Sequence, residues 1–317
     1  MRIGLIDVDG HNFPNIPLMK ICAWHKQQGD QVEWYDPMFS GHMDKVYLSK
    51  VFSFTPDYMY PIDADEIVYG GSGYCISLVD GKEVYDKSKD KNLPYEIEHI
   101  YPDYSLYNIT DTAYGFLTRG CPRGCDFCHV EAKEGRRSFK VADLSEFWDG
   151  QKNIVLCDPN ILACRDHPDL LQQLVDSGSM VDFNQGLDIR LTNERNIELI
   201  NKIKVKQIHF AWDNPKDDLT KYFDRYKSLA KHKPHGSYGM VYCLVGFHST
   251  LDEDLYRIYT LRDMGYDPYV MIYNKDNIPK GHELRRLQRY VNNKFIFRAT
   301  KKFEEYEKSE EKKNGFF

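Results

Sequence analysis

The chain of 317 residues contains no run of about 18 consecutive apolar side chains, which excludes a transmembrane helix. It also lacks a basic excess. Forty-two Lys and Arg stand against 48 Asp and Glu, a formal net charge of −6, so nucleic-acid binding through charge alone is not suggested. The charged-then-apolar opening of a signal peptide is missing too, because MRIGLIDVDG reads as a strand and a turn. Eight cysteines occur without the disulfide framework of a small secreted domain, which points to a reducing cytoplasm and to metal or catalytic use. What is present is a 42% apolar content, enough for a sizeable core, in a length that suits one large α/β domain or two smaller ones.

Residues 1–100 open with RIGLIDVD, an apolar strand running into Asp7, Asp9 and Gly10. NIPLMKICAWHKQQGD follows with apolar residues at helical spacing and a stop at Gly29. QVEWYDP, KVYLSKVFSF and DEIVYGGSGY each read as a strand ending in turn residues. This order predicts a small, parallel, doubly wound, Rossmann-like sheet. Residues 80–110, rich in Asp, Lys, Tyr and Pro, read as a strap across the surface.

From residue 111 the period lengthens. Strands are expected in TAYGFLTRG, NIVLCD, DFNQGLDIR, KQIHFAW, GMVYCLVG and PYVMIYN, with helices at 143–149, 167–177, 193–203, 217–231, 251–264 and 281–292. Six such β/α units predict a partial (β/α)6 TIM-type barrel that takes ligands at the carboxyl ends of its strands. The expected division is a domain over 1–100, a core over 101–280, and a C-terminal helix and charged tail over 281–317. Within that tail, KKFEEYEKSEEKK reads as a solvated helix or a frayed end.

GFLTRGCPRGCDFCHVEA, residues 115–132, gathers Cys121, Cys125 and Cys128 on one short segment. A structural zinc site needs a fourth ligand. His129 adjoins Cys128 too closely to serve well, and no second C-x-x-C pair occurs. A disulfide fails on odd number and tight spacing. Cys22, Cys75, Cys157, Cys164 and Cys243 are isolated, most of them in apolar contexts where a buried thiol is ordinary. Three thiolates suit an iron–sulfur cluster, with one iron left for a non-protein ligand. An open coordination position usually marks a catalytic centre.

The C-x3-C-x2-C spacing, with Phe127 before the last cysteine, resembles the radical S-adenosylmethionine (SAM) superfamily. That resemblance covers residues 110–275. It implies a [4Fe–4S] cluster on the three cysteines, SAM chelating the open iron through its amino and carboxylate groups, and Phe127 near the adenine. VLCDPNILA resembles the DDNF-type segment of the subgroup with N-terminal cobalamin-binding domains, which implies Asp158, Pro159 and Asn160 near the methionine end of SAM. The superfamily's commoner Gly-Gly-Glu is absent.

NQGLDIRLT puts Gln185, Asp188 and Arg190 at the third strand's end, where an arginine can pair with the SAM carboxylate. Asp188 and Arg190 also read as a plain salt bridge. Asp213, where relatives usually carry Glu, is implied as a ribose or amino-group partner, or else as a helix cap. CLVGFHSTLDED is similar to the family's fifth-strand segment, with Gly246 admitting adenine close to the backbone or serving only as a turn. Tyr273 and His248 read mainly as packing or surface groups, Arg136 and Arg137 as a solvated loop, and ELRRLQRYVNNK as a solvated helix face.

IVYGGSGYC resembles the Gly-Gly turn of the cobalamin-binding domain, but the D-x-H-x-x-G loop is missing. Two readings of the first domain stand, a cobalamin site or a degenerate domain that shapes the substrate channel. The activity implied is reductive cleavage of SAM, with an electron from flavodoxin or ferredoxin, to a 5′-deoxyadenosyl radical that takes hydrogen from an unidentified substrate. A cobalamin-dependent radical methyltransferase and a non-catalytic iron–sulfur or zinc protein are the alternatives. A cytoplasmic enzyme with neither a membrane nor a nucleic-acid partner is expected.

Overall fold

The computed structural model describes residues 1–79 and 82–307, and the chain divides into two compact units, Met1–Met180 and Val181–Phe317. Among the described residues no helix is long and apolar enough to cross a membrane. The chain is mixed α/β with parallel sheets.

In the first unit, β1 (Arg2–Asp7) is followed by α1 (Ile16–Gln27), β2 (Gln31–Trp34), β3 (Met43–Ser49) and β4 (Ala64–Gly70). These strands pair in parallel in the order β2-β1-β3-β4. α1 starts where Asn15 accepts a 3.2 Å hydrogen bond from the Leu18 amide and Pro17 supplies a helix-ready φ. Ile3 and Leu5 pack with Leu18, Ile21 and Cys22 of α1, while Ile6, Val46 and Leu48 form a second cluster. That second cluster is covered by Tyr35, Tyr58 and Ile62, from connections 35–42 and 50–63 that contain no helix. The expectation of a doubly wound sheet is therefore corrected. Apolar loop side chains cover the face where a second helix layer would lie.

β5 (Ile76–Val79) and β6 (Lys82–Tyr85) form an antiparallel hairpin. The strap read over 80–110, of which residues 80 and 81 lie outside the described residues, is firmly anchored. Its α2 (Tyr95–Glu98) buries Ile97 beside α1. Trp34 donates to the Leu106 carbonyl at 3.2 Å, and the Tyr107 hydroxyl donates to Asp7 at 2.6 Å.

Next come β7 (Thr112–Gly115), β8 (Thr118–Arg119), α3 (Val130–Glu134), β9 (Phe139–Lys140), β10 (Asn153–Leu156) and α4 (His167–Ser177). β7 pairs with β10 in parallel, and β8 with β9 antiparallel. The helix expected at 143–149 is only a 3-10 turn over Leu144–Glu146. Phe147, on leaving it, is buried with its ring in the space over Gly115.

The remaining elements are β11 (Met180–Phe183), α5 (Glu194–Lys202), β12 (Lys204–Ala211), α6 (Thr220–Leu229), β13 (Met240–Val245), α7 (Leu251–Met264), β14 (Asp267–Ile272), α8 (Glu283–Asn292) and α9 (Lys294–Ala299). β12, β13 and β14 pair in parallel within the second unit. Ile208, Phe210, Val241, Cys243, Val270 and Ile272 are buried at alternate positions along them. Phe210 meets Phe223 and Tyr226 of α6 edge to face.

Arg257 of α7 is fully buried and donates to the carbonyls of Trp212, Asp213 and Leu244 while pairing with Asp254. It ties the carboxyl ends of β12 and β13 together. Phe303 and Tyr306 are buried against Tyr290, so the start of the tail docks where a solvated end was expected. The rest of that tail, residues 308–317, lies outside the described residues.

Arg257→Ala would leave three carbonyls without this donor and Asp254 without its cation. It should lower stability by about 3–5 kcal/mol, read as a fall in the urea midpoint. A loss under about 1 kcal/mol would show that these bonds do not hold β12 to β13.

Candidate functional site

In the first unit, β8 and β9 close the base of a loop that carries all three motif cysteines. Gly120, at φ +81°, passes so near the Arg137 carbonyl that an added Cβ would lie 2.1 Å from its oxygen. Glu134 of α3 clamps the same point, accepting from the Gly120 amide at 2.8 Å and from the Arg119 guanidinium at 3.0 Å. The Cys121 amide donates to the Gly135 carbonyl at 3.3 Å, and the Cys128 amide to the Cys125 carbonyl at 2.9 Å. Cys121 and Phe127 are half-buried, and Cys125 and Cys128 are exposed. The five other cysteines are buried. Among the described residues no three His, Cys, Asp or Glu side chains are drawn together as a metal-binding group.

The loop is also held from outside its base. His129 Nε2 lies 3.1 Å from Glu83, which accepts from the Ser53 hydroxyl at 2.6 Å. Lys133 donates to the Ser72 hydroxyl at 2.8 Å, and burial pulls its ammonium below the usual lysine value. Lys133 and Arg119 border a cavity of about 970 Å³ that Ser49, Gly70 and Gly71 line at the carboxyl ends of β3 and β4. Arg136 and Arg137 are exposed, with Arg136 paired to Glu131 at 3.3 Å.

The segment after β10 braces the loop. Asp158 accepts from the amides of Leu117 (3.1 Å) and Thr118 and from the Thr118 hydroxyl (2.6 Å). Burial pushes its carboxyl up to about 6 against the pull of those donors. What the structure shows for Asp158 is thus a brace on the strand leading to Cys121. Asn160 reaches the cysteines, its Nδ2 lying 3.5 Å from Cys121 Sγ as a donor. Its backbone carbonyl accepts from the Ser138 hydroxyl at 3.0 Å, and its side-chain Oδ1 is buried without a partner. Such an acceptor is a place for a ligand's N–H. Pro159, between them, is half-buried.

In the second unit, Gln185 is exposed in the turn after β11. Asp188 accepts from Arg190 Nε at 2.8 Å and from the Arg190 amide at 3.1 Å, so the salt bridge is present, and Arg190 also reaches Asp217 at 3.4 Å. Asp213 does not cap α6, which begins seven residues later, at Thr220, behind Leu219. It accepts instead from the Leu244 amide at 2.9 Å, and burial pushes its carboxyl up to about 6. Gly246, at φ +73°, ends β13 where a Cβ would come 2.8 Å from Leu284. Phe247 stands between the rings of His248 and Tyr273, at 4.4 and 4.6 Å. Glu134, Lys133 and Glu83 were not singled out by sequence reasoning. Their partners are backbone amides or distant side chains, which leave no spacing signal.

No family model and no curated protein matches the chain. Among solved structures, the chain shares the fold of a radical SAM methyltransferase. That structure is TsrM from Kitasatospora setae with cobalamin and a [4Fe–4S] cluster bound, similar at TM-score 0.58 and 11% identity over 86% of this chain and 74% of that one. At this identity the likeness is one of fold.

The raised Asp158 carboxyl gives a signed test. The folded chain holds this proton more tightly than an unfolded Asp with its ordinary value of 3.8, so ionisation opposes folding. The contribution is full below pH 3.8 and is lost as pH rises through about 6. Asp158→Asn cannot ionise. Its stability relative to wild type should climb by up to about 3 kcal/mol between roughly pH 4 and 7, read as urea midpoints at the two ends. A constant difference would mean that Asp158 is ionised throughout.

Proposed function

We propose that the chain is a radical SAM enzyme in which Cys121, Cys125 and Cys128 hold a [4Fe–4S] cluster. One observation carries the reading. The three cysteines share a loop pinned by Glu134 and Asp158, and beside Cys121 lies the Asn160 amide with its oxygen unsatisfied. The donor set fits, since thiolates are the usual cluster ligands and the loop leaves two of the three open to solvent. When bound, the cluster would pass one electron from an external reductant to SAM, parting its sulfonium C–S bond into methionine and a 5′-deoxyadenosyl radical able to take hydrogen from a substrate.

The protein's own part is binding, orientation and the exclusion of water. Asn160 Oδ1 would accept from the amino group of SAM, while Nδ2 donates to the Cys121 sulfur. Asp158 keeps the strand ahead of Cys121 in place. Following the resemblance, Phe127, Gln185, Asp188, Arg190, Asp213 and Gly246 are proposed as SAM contacts. Residues 1–100 are the cobalamin-binding-like part, 101–280 the radical SAM core and 281–317 an appendage. A flavodoxin or ferredoxin in the cytoplasm is the proposed electron donor. In ELRRLQRYVNNK, Arg285 donates to the Ile278 and Lys275 carbonyls and Arg286 pairs with Glu307.

A cobalamin-dependent methyltransferase is the second reading. It is supported by the cavity of about 970 Å³ beside Gly70 and Gly71, and by the cobalamin in the TsrM structure.

Anaerobic reconstitution should load about four iron and four sulfide per chain, and the reduced, loaded protein should release 5′-deoxyadenosine from SAM. Replacing Cys121, Cys125 and Cys128 together by Ala should abolish that release, and release at the wild-type rate would end the proposal. Corrin absorption retained after incubation with cobalamin selects the second reading. Zinc without sulfide selects a non-catalytic metal protein.

A further inference from the structure

The sheet of the second unit has two unlike faces. Ile208 and Phe210, Val241 and Cys243, and Val270 and Ile272 lie on the side packed by α6 and α7. His209, Tyr242 and Tyr269 fall at the intervening positions, and Asp182 falls between the buried Val181 and Phe183. Parallel strands buried on both faces carry continuous apolar runs. These strands instead bring acid, imidazole and phenol to one side.

His209 is engaged through both ring nitrogens. Its Nδ1 lies 3.0 Å from the Phe183 carbonyl, which can only accept, and its Nε2 lies 3.0 Å from Gln207 Nε2. Asp182 Oδ1 stands 3.7 Å from His209 Nδ1, beyond hydrogen-bonding reach, and is buried without a partner. Burial raises that carboxyl above its ordinary value. The Tyr242 ring lies parallel to that of His209, with centroids 5.2 Å apart, and its hydroxyl feels the Asp182 charge. Tyr269, 36% exposed, meets Tyr242 edge-on at 5.9 Å and forms the open end of the group.

A buried acceptor left unsatisfied carries its desolvation penalty uncompensated. A ligand that brings an N–H removes that penalty. Ring faces beside a carboxylate favour a cation over a neutral hydroxyl. Lys206, exposed and at the alternation of Ile208 and Phe210, acts on Asp182 through its charge and does not satisfy Oδ1. We propose that Asp182, Tyr242 and Tyr269 form a binding site for a protonated amine carried on an aromatic or apolar body. Asp182 accepts the N–H, and the tyrosines supply ring faces. As a binding site it stands alone. As the place where a substrate's amine is held, it rests on the radical SAM reading above.

The probes are benzylammonium and its neutral counterpart benzyl alcohol, titrated into the reconstituted full-length protein and followed by ligand-observed NMR. Benzylammonium should bind at least about tenfold more tightly. Asp182→Asn should erase the preference and leave benzyl alcohol unchanged. Tyr269→Ala, at the exposed end, should weaken both probes. Equal wild-type affinities, a preference that survives Asp182→Asn, or no effect of Tyr269→Ala overturns the site. If Asp182→Asn fails to fold, the wild-type comparison and Tyr269→Ala decide. No preference in a protein that loads its cluster and cleaves SAM sinks the amine site alone. A clear preference in a protein that loads no cluster sinks the radical SAM reading alone.

Discussion

One buried carboxylate, that of Asp158, sets the point from which the cysteine loop departs. It accepts from two successive amides and a hydroxyl, at Leu117 and Thr118, just as the chain leaves β7. Buried amides must find acceptors somewhere, and here both find the same side chain, so the backbone direction into Gly120 and Cys121 is fixed. Glu134 repeats the device from the other end of the loop, accepting from the Gly120 amide. Two carboxylates on backbone amides thus frame a segment whose own residues make few regular bonds. Such framing is what a preorganised ligand loop requires.

Much of this was legible in the sequence, and the reasons for what was not are physical. Each of the six strands from Thr112 to Ile272 overlaps the segment that announced it, although β11, β12 and β14 begin one or two residues earlier, because at least one face of each strand is apolar. Their ends were read too long. In DFNQGLDIR the strand stops at Phe183, and Gly186 at φ +96° turns the chain toward a 3-10 turn. The helix expected near 143–149 fails since Phe147 is drawn onto Gly115, a tertiary contact that no local pattern encodes. The same holds for the single-sided winding of the first sheet, where Tyr58 and Ile62 do a helix's covering from within a loop. The cysteine motif was legible because its spacing is local. Its braces were not, because a carboxylate bonded to an amide leaves no mark of its partner in the sequence.

The second unit divides its labour across the sheet. On one side, aromatic packing of Phe210, Phe223, Tyr226 and Tyr266 makes a dense core, and Arg257 locks the strand ends by filling three carbonyls. That guanidinium has a geometric task that a lysine's single ammonium does not match. Because the strand ends are held rigid, Asp213 and Gly246 at those ends keep their placement without bonds to each other. The opposite side carries polar and aromatic groups whose bonding is incomplete, and incomplete bonding inside a well-packed unit is where function is usually found.

The strap over residues 93–107 has a consequence for how such a chain can be inherited. Leu93, Ile97 and Leu106 pack on the first sheet's core, and Tyr107 bonds to Asp7 at the end of β1. A few residues away, Tyr104 bonds the Tyr114 backbone in β7 and the Phe147 carbonyl. One short segment therefore serves as interior for the N-terminal sheet and as buttress for the strand before the cysteine loop. Gene fusion usually joins parts through a tether that either part can lose. Here the joint is itself core, so recombination that swapped the N-terminal sheet for a foreign one would have to carry the strap along and rebuild both of its surfaces.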